Sequence, residues 1–366
     1  MNRLSPKILP LTLLLLVFVG CTKSFDGMNT SPNSPTAIGP QYLLTYALEQ
    51  SIDRYWGGRT RFERLNIDAG ELWIQHLARN IYSNEGDNYE ASQALMLNNW
   101  RAFFNDGLLN YQRIMTITDE KGTAPNANYY GAALVMRTWV FSLLTDIFGA
   151  IPYSEAIKGT ASEPIYTPKY DTQEAIYAGL LADLKLANEK LSTTGPAING
   201  DILYGGSILK WKKFANSLRV RLANRQAAKK PAESRAILRE ILADPVKFPL
   251  FTSNDDNAAL KCTPVLPSNN EWNQVMIQEG RTDWNLSKTL VDKLLALDDA
   301  RLAVFGTPVR GKFEGIPNGL PDAIATTFLA TAATIGPAFT RADAPEVIMT
   351  FAELNLTLAE AALDGD

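Results

Sequence analysis

The chain has 366 residues, of which 46% are hydrophobic and 20% charged, the composition of a globular protein long enough for one large domain or two. Its formal charge of −4 carries no electrostatic footprint for nucleic acid, and no basic run, zinc-type cysteine spacing or glycine-rich phosphate loop appears. The single histidine, His76, leaves a Ser/His triad and most hydrolytic zinc sites without a second imidazole.

Residues 1–20 read as a targeting segment. Arg3 and Lys7 give a positive start, Ile8–Val19 is an apolar run too short for a comfortable transmembrane helix, and Gly20 precedes Cys21. Phe18-Val19-Gly20-Cys21 resembles a lipobox, in which Cys21 is lipidated after cleavage; a plain secretory cut near Gly20 is the alternative. Loss of Arg3 and Lys7 would leave 33 basic against 39 acidic residues. Cys262 then has no partner and reads as a buried free thiol. Residues 21–40 are rich in Ser, Thr, Asn, Gly and Pro without periodicity, a flexible tether before a helical region spanning 41–366.

Helical spacing predicts a first helix over Gln41–Tyr55 and a second over Phe62–Tyr82, with Trp73 and His76 among its apolar neighbours; His76 reads as a core or rim residue and not a catalytic base. Asn80–Tyr89 is a polar loop carrying Tyr82 and Tyr89, the kind of segment that holds ligand sites on a rigid scaffold. A helix over Asn98–Ile117 follows, with Trp100 and Phe104 read as core. The next helix, about Asn128–Phe148, is closed by Gly149, where a missing Cβ suits a left-handed cap, and by Pro152, which cannot continue it. Asp146 reads as an anchor for the turn that follows. Asp171 and Glu174 read as the capping pair of a helix to Ser192. Ser207–Ala228 is the strongest helix, its cations read as internal salt bridges, and Pro231–Leu242 is another.

From Phe248 to Ser287 periodicity fades. A metal ion on Asp255 and Asp256 with the amides of Asn254 and Asn257 competes there with a polar turn, which is the preferred reading. About nine helical segments and no strong alternating strand make the fold mainly α.

D-I-F-G-A-I-P-Y-S-E-A at Asp146–Ala156 closely resembles the D-x-[YF]-G-x-[IV]-P-Y-x-E-A signature of SusD/RagB-type outer-membrane nutrient-binding lipoproteins, notably the SusD-like branch. W-x-K-F-A-N-S-L-R-x-R-L-A-x-R from Trp211, S-K-T-L-V-D from Ser287, F-x-G-I-P-x-G from Phe313 and the late helix F-A-E-L-N-L-T-L-A-E-A-A are similar to further family segments in the same order. The resemblance implies helix pairs of tetratricopeptide-like packing beside an irregular loop-rich region. It also implies a surface-exposed outer-membrane lipoprotein that passes oligosaccharide, or in some members peptide, to a SusC-like TonB-dependent transporter. The late helix precedes further sequence in the family, so the chain reads as lacking the family's C-terminal part.

On this reading the chain is a binding protein without catalytic residues, cofactor or metal. Sugars present hydroxyl edges and apolar C–H faces, which call for aromatic faces with amides, carboxylates and Arg. Trp73, Tyr82 and Tyr89 near the first loop and Trp272, Arg281, Asp283 and Trp284 in the second irregular region have that chemistry. Core packing is the competing reading for each aromatic. A glycan-cleaving enzyme would need a positioned carboxylate pair, which no local signature selects. A scaffolding lipoprotein that only stabilises its transporter is the remaining alternative.

Overall fold

The computed structural model describes residues 38–57, 64–83, 85–159 and 164–363. The signal segment and Cys21 lie outside the described residues, as does nearly all of the tether.

Nine helices of nine or more residues are present among the described residues: α1 (Pro40–Trp56), α2 (Gln93–Ala102), α3 (Leu109–Thr118), α4 (Ala127–Phe148), α5 (Gln173–Lys190), α6 (Ile208–Arg225), α7 (Pro231–Ala243), α8 (Lys288–Ala296) and α9 (Phe351–Leu363). Helices α3 to α7 pack each on the next, α1 lies on α3 and α9 on α6, so the fold is mainly α with tetratricopeptide-like helix pairs. Helix α4 is central because it is apolar on nearly every side: Ala132–Met136 and Trp139–Phe141 are all buried. It is long and apolar enough to cross a membrane, but it is largely buried inside the protein and serves as a core helix. Helices α2 and α3 form one run interrupted by a π-helical segment, Phe103–Leu108.

The strongest sequence expectations hold. Gly149 takes φ 73° at the end of α4, and α6 spends its cations on neighbours. Lys213 meets Asp256 at 2.7 Å, Arg219 meets Glu240 at 2.7 Å and Arg221 meets Glu353 at 2.6 Å. With Thr252 also donating to it, the Asp256 carboxylate is committed to this polar turn.

Several readings are corrected. The second helix stops at Trp73; a turn at Gln75 (φ 56°) follows, then strand β1 (Leu77–Arg79). His76 therefore sits exposed in a turn, 3.1 Å from Glu71. Thr172, not Asp171, caps α5, accepting from the Ala175 N–H; Asp171 instead takes the backbone N–H groups of Tyr153 and Ser154. Asp146 does not anchor its own turn. Tyr177 of α5 donates to it at 2.6 Å and Arg225 at the end of α6 meets it at 2.7 Å, so it ties three helices together. Cys262 is a free thiol, but half-buried, its acidity suppressed by burial and by Glu346.

Among the described residues the strands form two-stranded antiparallel pairs. Strand β2 (Ala258–Leu260) pairs with β6 (Glu346–Met349), and β4 (Gly306–Thr307) with β5 (Thr334–Ile335). The third pair, β1 with β3 (Trp284–Leu286), joins the two irregular regions.

Candidate functional site

Arg79 lies opposite Trp284 and Leu77 opposite Leu286, so segments about 200 residues apart become neighbours. The ladder is prolonged where the Asn80 N–H donates to the Asp283 carbonyl at 3.0 Å and the Asn80 amide to Asn285 Oδ1 at 2.8 Å. This pairing sets the Asn80–Tyr89 loop beside the Arg281–Trp284 loop.

The floor beneath the two loops is charged and buried. Asp68, on a π-helical turn (Asn66–Gly70), receives Arg79 Nη2 at 2.5 Å and the Trp284 indole N–H at 3.1 Å. Arg79, Arg64 and Arg281 place their guanidinium carbons 5.4, 5.7 and 5.9 Å from the Trp284 ring. Arg281 in turn pairs with Asp283. Burial raises the Asp68 carboxyl above its ordinary range, and the Arg79 guanidinium opposes that shift. A buried ion pair of this kind fixes geometry, because neither charge tolerates separation from its partner.

Asp87 fastens the loop to this floor. Its carboxylate accepts the Arg79 N–H at 3.0 Å and the Asn318 amide at 3.4 Å, and burial pushes its pKa up to about 6. Ser83 is held by Asp322, whose Oδ1 accepts the Ser83 N–H at 2.7 Å. At Gly86 an added Cβ would stand 2.5 Å from the Asp68 carbonyl oxygen and 2.4 Å from Leu72, so the loop backbone lies directly on the π-helical turn.

Above the floor the two tyrosines form a rim. Tyr82 and Tyr89 have φ of 58° and 61°, a left-handed conformation that bulky residues rarely adopt and that surrounding structure must enforce. Both are exposed, Tyr89 by 62%. The Tyr89 hydroxyl accepts from Gln75 Nε2 at 3.3 Å, and Gln75 Oε1 accepts from Thr289 at 2.7 Å.

Of the seven sequence candidates, Arg281, Asp283 and Trp284 come together, on the strand side opposite the loop that carries Tyr82 and Tyr89. Trp284 is 4% exposed and belongs to the floor. Trp272, 5% exposed, packs on Trp56 at 5.3 Å and Phe339 at 6.2 Å and donates to the Trp56 carbonyl; it is an interior residue with no face for a ligand. Trp73 is half-buried against the core. Sequence reading missed Asp68, Arg79, Asp87 and Gln75. The signal that pointed to two of them was charge out of place: Asp68 on an otherwise apolar helical stripe and Arg79 within His76–Ile81.

The SusD-like family, described as starch-binding associating with outer membrane, matches over residues 32–365. Comparison with curated protein sequences gives no match. Among solved structures the chain is similar to a chitin-binding protein with 28% identity and a TM-score of 0.76, covering 89% of this chain and 70% of that one. It is similar in fold to a chitin-binding SusD homologue from Flavobacterium johnsoniae, with 21% identity and TM-score 0.73, over 89% of this chain and 65% of the other. A SusD homologue from Bacteroides fragilis matches with 24% identity and TM-score 0.66, over 90% and 69% of the two chains.

Proposed function

The chain belongs to the SusD-like family, and from that premise we propose that it is a non-enzymatic glycan receptor of the outer membrane whose ligand seats on the Tyr82/Tyr89 rim. The observation that carries this reading is the pair of exposed tyrosines held at positive φ over a buried, fully assembled floor. Strain of that kind persists where the surrounding structure supports it, and it presents two aromatic faces in fixed positions. Tyr82 and Tyr89 supply stacking surface for the C–H faces of a sugar, while Gln75 and the Arg281–Asp283 pair supply donors and acceptors for its hydroxyls. The chitin-binding relatives support a neutral β-linked polysaccharide as cargo. No bond is made or broken; function is capture and release through differential affinity.

Lipidation at Cys21 would hold the protein to the membrane surface, and the partner receiving the glycan would be a SusC-like TonB-dependent transporter, as in the family. The test is calorimetric titration of the chain from Thr22 onward with a glycan panel that includes chito-oligosaccharides, repeated with Tyr82→Ala and Tyr89→Ala. Binding that is lost in both variants, with helical content intact, supports the reading. Binding that survives in both moves the ligand off this rim, and a folded chain that binds no glycan favours a scaffolding role or peptide cargo.

A further inference from the structure

The helix ends that meet around Asp146 leave a cleft of about 500 Å³ on the side of the fold built by α4, α5 and α6. That is within the range of small-molecule sites, roughly 300–1,000 Å³. Every residue that lines it carries a polar or charged side chain. Asp146, Tyr177 and Arg225 form the closed triangle that joins the three helices, with Arg225 Nε donating to the Tyr177 hydroxyl at 3.2 Å. Those contacts use Nε and Nη2 of Arg225 and leave Nη1 uncommitted among the described residues. Lys229 contributes an exposed ammonium without an ion pair among the described residues.

The balance of groups identifies the ligand chemistry. Three cations (Arg225, Lys229 and Lys230) face two carboxylates, and the uncommitted groups are donors, which an acceptor-rich anion satisfies and a neutral polyol does not. The chain also supplies its own stand-in. Glu174, in the first turn of α5 and largely exposed, lays its carboxylate on Lys230 at the cleft's edge, where the helix N-terminus adds to the attraction for negative charge. A carboxylate thus already sits on one of the cleft's cations, carried by an exposed side chain that a ligand can displace.

We propose that this cleft is a second binding site, separate from the Tyr82/Tyr89 rim, and that it takes a small sugar acid through its carboxylate. Asp146 is then a positioning residue that aims Arg225, and Glu174 is an internal competitor. Because the two sites share no residue, failure of one leaves the other standing.

The experiment titrates the full chain with sodium glucuronate, with glucose as the neutral counterpart and acetate as the bare carboxylate. Glucuronate should bind with an affinity that falls as salt is added, and glucose should leave the cleft unoccupied. Lys229→Gln should weaken glucuronate about tenfold, the value of one charge-assisted contact. Glu174→Gln should strengthen it, which a merely structural role for Glu174 would not produce. Acetate that competes with full potency assigns the site to simple carboxylates and overturns the sugar part of the proposal. Equal binding of glucose and glucuronate, or indifference to both substitutions in protein shown to be folded, overturns the site.

Discussion

Arg79 and Trp284 face each other across the β1–β3 ladder, with the guanidinium 5.4 Å from the indole ring and both side chains bonded to the same Asp68 carboxylate. One residue from each irregular region is therefore held on a third segment, and the two loops above cannot shift independently. Arg79 and Asp68 are 3% and 7% exposed, so removing one charge strands the other in a low-dielectric interior. Arg79→Ala should cost about 3–5 kcal/mol, the usual penalty for breaking a buried pair. The denaturant midpoint measures it. A loss under 1 kcal/mol would mean that water reaches Asp68 freely.

Asp87 should make stability depend on pH in a known direction. Its folded-state pKa is raised to about 6 by burial, so between about pH 4 and 6 the folded chain binds more protons than the unfolded one. The contribution is complete below the unfolded pKa and is lost as pH rises through 6, for a total of about 3 kcal/mol. Asp68 and Glu346 are also raised by burial, so the informative quantity is the difference between wild type and Asp87→Asn. That difference should move in favour of the variant from pH 4 to 6 and stay level above. A flat difference would show that Asp87 titrates normally.

The close seating of the loop gives a backbone prediction. Gly86→Ala places a methyl group 2.5 Å from the Asp68 carbonyl oxygen, a backbone atom that cannot swing away. The loop must lift, at a cost of about 1–3 kcal/mol as for other overpacked sites. Glycan affinity should fall while far-ultraviolet circular dichroism remains helical. Wild-type affinity in this variant would detach the Asn80–Tyr89 loop from binding.

How legible all this was in the sequence depends on range. Helices α4 and α6 carry their apolar residues at helical spacing over four or more turns, and the cations of α6 lie where salt bridges to α7 and α9 need them. The second helix was overextended because Leu77, Ala78 and Ile81 continue an apolar count, and a three-residue strand is too short to show alternation. The site was half visible. Polar loops bearing tyrosines and an Arg-x-Asp-Trp run announce chemistry. That Trp272 is interior while Tyr89 is a rim follows only from Trp56 and Phe339 closing over the former. Out-of-place charges marked Asp68 and Arg79, but their assembly into a floor was not legible because Asp68 and Trp284 meet across 216 residues of chain.

The rim tyrosines should separate stability from function. A left-handed residue with a large side chain costs about 1–2 kcal/mol relative to one that tolerates the conformation. Asparagine is such a residue, since its short amide bonds locally at positive φ. Tyr89 is 62% exposed and its contact with Gln75 is a single surface hydrogen bond, so little packing is lost on replacement. Tyr89→Asn should therefore raise stability by about 1 kcal/mol while weakening glycan binding by tenfold or more, the loss of one stacked aromatic face. Melting temperature and calorimetric affinity, measured on the same preparation, decide it. A variant that is destabilised shows that Tyr89 packs more than it strains, and one that binds unchanged leaves Tyr82 alone to carry the stacking.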